Sequence, residues 1–382
     1  MSPAPSAARV PFHSTQLAPV RRLVEQALAA GIFPGAVVHV RREHRIEWQQ
    51  AFGWAAVTPR RRAMRPDAMF DLASLTKPLA TATAVLQLWE QKALDPDRPV
   101  ADYLPAFGAS GKQAVTVRHL LTHTSGLPAW IRLYLHAHTP QEALRYIGAL
   151  PPQSPPGARV EYSDLGFIVL GELVRARGGL PLDSHLDARI APLVGWRRTR
   201  FRPPAAWRSR CVATEAGNEF ERAAAGEEGV GFRWRTRVIC GEVHDGNSYY
   251  LYHGVAGHAG LFSTAEEVGR FGQVMLDGGA APHGAVLAQT TVAEATRDHT
   301  GGLEDARGLG WRCRRGSAFM GVRVSPAAFG HTGFTGTSLL VDPRGALVVV
   351  LLTNRVHPRA TTTAIESFRA QFHDAVIEAM ER

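Results

Sequence analysis

Residues 71–80 read DLASLTKPLA and contain Lys77, one of only three lysines in a chain of 382 residues. The other two are Lys92 and Lys112; taking three lysines from 43 basic residues leaves 40 arginines. Ser74 stands three positions before Lys77. On a helix such residues are neighbours, about 5–6 Å apart at Cβ, so the pair would share one face of a first turn. Pro78 supports that placement, because proline is tolerated where a helix does not need its N–H. The stretch 78–91 is apolar nearly all round (Leu79, Ala82, Val85, Leu86, Leu88, Trp89), which predicts a buried helix. Two readings follow. Ser74 is a helix cap and Lys77 a surface residue, or the pair does chemistry. Lysine loses its proton readily when buried or placed near positive charge, whereas arginine does not. A serine hydroxyl is a poor nucleophile until a base takes its proton.

The rest of the chain narrows the choice. A hydrophobic share of 45% and a charged share of 20% describe an ordinary globular protein. The length allows one large two-lobed domain or two domains. The net charge of +9 raises nucleic acid as a partner, but the arginines are scattered, and the longest run is Arg60–Arg62. No basic stripe or zinc-finger spacing accompanies them, so no nucleic-acid partner is expected. Cys211, Cys240 and Cys313 are too few and too far apart for a disulfide framework or a metal pair. No apolar run approaches the roughly 18–20 residues of a membrane span, and MSPAPSAARVPFHSTQ lacks the apolar core of a signal peptide. The expected compartment is therefore the cytoplasm, with no membrane association.

Residues 1–12 read as a loose tail. Leu17–Ala30 has an amphipathic helical stripe, and GAVVHVRR and HRIEWQQAFGW read as two strands. Residues 95–290 are turn-rich with short helical patterns at Val117–Leu121, Gln141–Leu150, Leu165–Arg175 and Ala265–Leu276. TSLLVDPRGALVVVLLTN is a hairpin around a proline turn, and Thr361–Glu381 closes as an amphipathic helix. The expectation is a single catalytic domain over 13–382: a sheet lobe from about 13–80 and 290–382, and a mostly helical lobe from about 81–289.

Two further patterns matter. Tyr162-Ser163-Asp164 precedes an apolar helix, and His331-Thr332-Gly333 precedes a strand. With Ser74-x-x-Lys77 these resemble, in order, the SxxK, YxN and KTG or HTG elements of the serine β-lactamase and penicillin-binding family, especially its class C and carboxylesterase branch. FDLASLTKPLATATAV, VRHLLTHTSGLP, YSDLGFIVLGEL, GVAGHAGLFST and HTGFTGTSLLVDP extend the likeness across roughly residues 17–380. The resemblance implies an α/β (α+β) fold: a five-stranded antiparallel sheet flanked by helices, with an inserted helical lobe. It implies that Ser74 is the nucleophile and that Lys77 and Tyr162 move its proton, either being the base. It assigns the oxyanion hole to the backbone N–H groups of Ser74 and Phe334. Asp164, His331, Thr332 and Gly333 would bind substrate, with Gly333 letting it come close. No cofactor or metal is implied.

The sequence departs from that pattern at two places. Asp164 stands where most relatives carry asparagine; a carboxylate there would hold Lys77 as an ammonium and move the base role toward Tyr162. His331 replaces the commoner lysine and titrates near neutrality, which makes it a weaker anchor for a substrate carboxylate. His119 and His123 are four apart, a metal-ligand spacing that lacks a third ligand and reads better as packing. His244, Asp245 and His258 either line the site entrance or belong to structural loops. Gly254, Gly257 and Gly260 lack the spacing of a phosphate loop. The expected activity is a metal-independent serine hydrolase acting through an acyl-enzyme on a small ester or amide. The alternatives are a muropeptide amidase or D-peptidase, an acyltransferase, and a non-catalytic binding or filament-forming member. The oligomeric state has no signature.

Overall fold

In the computed structural model, residues 16–360 and 363–381 are described; the segment 1–12, expected as a tail, lies outside them. The apolar run that starts at Gly35 forms strand β1 (Gly35–Arg42), whose first six residues are all buried. That marks a central strand, and it pairs with neighbours on both sides. A two-residue turn with Glu43 and His44 both at positive φ (48° and 67°) leads into β2 (Arg45–Ala56). Turns of that hand match the twist of the flanking strands. The other strands are β3 (Arg62–Ala63), β4 (Arg312–Cys313), β5 (Phe329–Thr332), β6 (Ser338–Asp342) and β7 (Leu347–Thr353). They form one antiparallel sheet in the order β4-β5-β6-β7-β1-β2-β3. Of the five longer strands, β1, β2, β6 and β7 are those read from the sequence, and β5 completes the five that the resemblance implied; His331 and Thr332 lie on β5 itself, where the sequence reading put them just before a strand. The structure adds two-residue edge strands, too short to carry a readable alternation.

The helices used below are α1 (Ala18–Ala29), α2 (Thr83–Glu90), α3 (Val117–Leu121), α4 (Pro140–Ala149), α5 (Asp164–Gly178), α6 (Ala265–Leu276) and α7 (Ile365–Glu381). One sheet face is covered by α1 and α7: Val20, Val24, Phe368, Phe372 and Val376 pack on Val38, Val40, Leu340, Val349 and Leu351. The other face carries α6, although its residues fall within the stretch expected to form the helical lobe. A Cβ at Gly272 would stand 2.4 Å from the Val348 side chain, so glycine sets how closely α6 lies on the sheet. The core on this side runs without a break into the helical lobe, where Val85, Leu86 and Leu88 of α2 and Phe167, Ile168 and Leu173 of α5 belong to one buried cluster. The site lies where this lobe meets the β5 edge of the sheet.

Candidate active site

Ser74 sits on the first turn of a helical segment that starts at Ala73 and passes through a π-type stretch, Lys77–Ala82, into α2. Such stretches recur at functional sites. The approach is tightly held. Asp71 Oδ1 accepts from Ala73 N (2.9 Å) and its Oδ2 from His244 N (2.6 Å). Thr335 and Thr337 hydroxyls donate to the carbonyls of Asp71 and Leu72 at 2.8 and 2.9 Å. Ala73 adopts φ +47°, a left-handed conformation that costs free energy for a residue with a Cβ and persists only where surrounding contacts enforce it. The strained turn presents Ser74 at the cavity wall.

Lys77 is fully buried. Its ammonium donates to Ser74 Oγ at 2.9 Å and to His258 O at 3.2 Å, and lies 2.6 Å from Asp164 Oδ1. It also stands 4.9 Å from the centre of the Tyr162 ring. Burial pulls the lysine pKa down, but charge and hydrogen bonding from Asp164 and Tyr162 outweigh it, and the net shift is upward. The upward shift favours the ammonium form of Lys77.

Tyr162 and Asp164 bracket the N-cap of α5. Ser163 Oγ accepts from Gly166 N (3.3 Å) and donates to Pro128 O (2.7 Å), which fixes both neighbours. The Tyr162 ring packs on His123 at 4.4 Å between centroids. His123 Nδ1 accepts from Ser163 N at 3.0 Å, while His119 Nδ1 accepts from Thr116 N in the capping box of α3. Both histidines therefore serve local backbone structure.

Strand β5 delivers His331 and Thr332, and the turn that follows delivers Gly333 and Phe334. A Cβ at Gly333 would lie 2.1 Å from Thr337 Oγ1 and 2.4 Å from Leu72 O. Crowding by the Ser74 approach itself demands glycine here, where the sequence suggested substrate approach. Gly333→Ala is expected to cost about 1–3 kcal/mol by overpacking and to displace the Ser74 turn. A melting curve beside an ester-hydrolysis assay would show both losses. The guanidinium of Arg369 on α7 ties the turn down by donating to Gly333 O (2.8 Å) and Thr337 O (2.9 Å). Among the described residues, no protein acceptor takes up the backbone N–H of Ser74 or of Phe334.

His331 is buried, and its Nδ1 is 2.8 Å from Thr332 O. With Nδ1–H donating there, Nε2 is left as an acceptor, buried and without a protein partner. Burial, then the charges of Lys77, Arg312 and Arg307, press its pKa well below the ordinary value, so the ring is neutral. His331, Ser74, Tyr162, Asp164, Thr332, Gly333 and Phe334 all line one cavity of about 800 Å³, a size that suits a small organic ligand.

Sequence reading left His244, Asp245 and His258 open between entrance and loop. All three line the cavity. His258 Nε2 is 2.8 Å from Asp245 Oδ1, and His244 Nε2 is 2.9 Å from Glu215 Oε2. Glu221, which carried no sequence signal, accepts from Tyr134 OH (2.6 Å) and Gly246 N (2.7 Å). Burial, then the nearby Asp245 carboxylate, push its pKa up to about 7. Arg307 and Arg312, which also line the cavity, were equally unforeseen. Asp164, Asp245 and His258 place ligand-type atoms within 4.8 Å of one another. The Lys77 ammonium already supplies the positive charge at that point, so the arrangement does not call for a cation.

A sheet with a helical lobe at its edge, and a serine, lysine and tyrosine converging at the junction, define a class. The profile of the Beta-lactamase family matches residues 20–371. The chain belongs to the β-lactamase family and is a serine hydrolase of that fold. It is 33% identical over 377 residues to the N-acetylmuramyl-L-alanine amidase of Bacillus subtilis (strain 168), covering 91% of this chain and 82% of the relative. It is 30% identical over 372 residues to a putative D-alanyl-D-alanine carboxypeptidase of Escherichia coli (strain K12), covering 91% and 84%. The solved penicillin-binding protein homologue from Caulobacter crescentus shares the fold with a TM-score of 0.74 at 20% identity, over 95% of this chain and 97% of that one.

Proposed function

We propose that the protein hydrolyses an amide bond in a peptide-bearing cell-wall fragment through an acyl-enzyme on Ser74. The observation that carries this is the Lys77 ammonium, shared at 2.9 Å and 2.6 Å between Ser74 Oγ and Asp164. Because Lys77 already bears its proton, it stabilises the developing serine alkoxide, and Tyr162, acting in this step as the phenolate, takes the hydroxyl proton and becomes the phenol. Ser74 Oγ bonds to the carbonyl carbon. The oxyanion accepts from the N–H groups of Ser74 and Phe334. Tyr162 returns its proton to the departing nitrogen as the C–N bond breaks, and water then cleaves the ester by the same steps in reverse.

The amide preference is supported by the amidase and carboxypeptidase named above, which match along most of their lengths. No described helix is long and apolar enough to cross a membrane. Three unpaired cysteines, Cys211, Cys240 and Cys313, fit a reducing compartment, which supports cytoplasmic fragments as the substrate. The test is incubation with a fluorophosphonate, then with nitrophenyl esters, nitrocefin and N-acetylmuramyl-peptide. The expected result is a mass adduct on Ser74 and release of free peptide. A folded protein that takes no label would instead be a non-catalytic member.

A further inference from the structure

The N–H groups assigned to the oxyanion, those of Ser74 and Phe334, lie on remote segments of the chain, and His244 touches both sides. Its backbone N donates to Asp71 Oδ2 at 2.6 Å, while Asp71 Oδ1 accepts from Ala73 N at 2.9 Å. Ala73 is the residue whose strained backbone presents Ser74. The His244 imidazole lies nearly parallel to the Phe334 ring, with 5.7 Å between centroids and 22° between planes. Phe334 is 38% exposed, so its ring is held by neighbours at the cavity and not by the core. Those neighbours are His244, the Phe220 ring at 5.2 Å and the Arg355 guanidinium at 4.5 Å, whose Nε also donates to Phe334 O at 2.7 Å. One buried carboxylate fixes two of the three. Glu215 Oε2 accepts from His244 Nε2 at 2.9 Å, and its Oε1 accepts from Phe220 N at 2.8 Å. Arg235 and Asn218 donate to the His244 carbonyl at 2.8 and 3.2 Å, so the residue is gripped at both ends. Packed apolar side chains often stabilise a fold as well as a buried ion pair does. What His244 and Glu215 add is direction.

We propose that His244, locked by Glu215, is a positioning residue that holds the two halves of the oxyanion hole in register. This rests on the acyl-enzyme reading above, which gives the oxyanion to those two N–H groups. The Gly333–Phe334 peptide is trans, so its N–H points away from its C=O. Arg369 holds that carbonyl on one side, and the Phe334 ring, stacked on His244, stops the plane from turning. An oxyanion donor acts only when it lies about 2.7–3.1 Å from the charge as it forms, so a contact that sets the tilt of this peptide also sets the rate. Ground-state binding makes no use of that tilt. The role therefore shows in kcat and in affinity for a tetrahedral adduct, and not in KM.

The test uses His244→Gln, which keeps a donor for Glu215 and the backbone N–H for Asp71 but removes the ring, and Phe334→Ala, an exposed position that keeps its N–H. With N-acetylmuramyl-peptide as substrate, kcat is expected to fall about 100-fold in His244→Gln, the scale of a misplaced reacting geometry, with KM within roughly threefold of the parent. Phenylboronic acid, which forms a tetrahedral adduct on the serine, is titrated calorimetrically and should bind at least about tenfold more weakly to each variant. Because both substitutions break one stack, the double variant should lose no more boronate affinity than either single one. Losses that multiply, or a folded His244→Gln with parental kcat and boronate affinity, overturn the proposal. If His244→Gln does not fold, Phe334→Ala decides alone, and parental boronate affinity there refutes the role of the stack. A parent that takes no boronate at Ser74 fails the acyl-enzyme reading itself and removes the role of His244 with it. A parent that binds, beside variants that bind equally well, fails only the positioning role.

Discussion

Ser74→Ala is expected to lower turnover by at least about 10⁴-fold, the scale seen when a nucleophile acting in a concerted group is removed. Ser74 is only partly buried, and its hydroxyl accepts one bond, from Lys77. Without it the ammonium still contacts Asp164 and His258 O, so the substitution leaves no isolated buried charge. The melting temperature should stay close to that of the parent while both the fluorophosphonate adduct and the burst of nitrophenol disappear. Residual turnover within tenfold of the parent would remove Ser74 from the chemistry and leave the family likeness as one of fold alone.

Asp164→Asn should have the second largest effect, and its sign depends on Lys77. The native lysine pKa is raised. The stabilisation that its charged form contributes is therefore complete below the unfolded value of about 10.4, and is lost only as pH climbs through the still higher native value. Near neutrality it is fully present. Replacing the carboxylate leaves the burial and takes away the largest opposing influence, so the lysine pKa falls below the ordinary value. The alkaline limb of kcat/KM should move toward lower pH by about 1–3 units, the range for loss of a close opposite charge. The variant should also lose stability as pH falls below the unfolded lysine value, because the native state must then bury an uncompensated ammonium. Release of the proton keeps that loss under the roughly 3–5 kcal/mol of a broken buried pair. A pH–rate profile with melting curves at pH 6 and pH 9 reads both effects. An unmoved profile would show that Asp164 does not govern the proton on Lys77. A gain at neutral pH would mean that the neutral amine is the better base, reversing the roles given to Lys77 and Tyr162.

Much of the site was legible because its parts sit at the ends of regular elements. The spacing of Ser74 and Lys77 places both on one helical turn; Tyr162 and Asp164 flank a helix cap; His331 to Gly333 lead toward the strand at Ser338, although the short strand that carries His331 and Thr332 was not legible. Each has a local pattern that survives without tertiary information. The scarcity of lysine proved a weaker guide than it looked. Lys112 is buried as well, yet its ammonium only caps the end of α4, donating to the carbonyls of Gly148 (2.7 Å) and Leu150. Rarity marks a position where arginine does not fit, and chemistry is only one reason for that. Arg307, Arg312 and Glu221 were hidden for the opposite reason. They are ordinary residue types in irregular or very short elements, and what distinguishes them is which neighbours they lack or repel. The placement of α6 failed to show for a related reason, since an apolar stripe declares that a helix is buried but not against which surface.

The bond from Arg369 to the turn at Gly333 has a consequence for biosynthesis. The residue that fastens the turn at Gly333 belongs to α7, so a chain still emerging from the ribosome carries Ser74, Lys77 and Tyr162 before the clasp that holds the turn. Translation would then proceed with the hydrolase unarmed, and competence would arrive only as α7 docks.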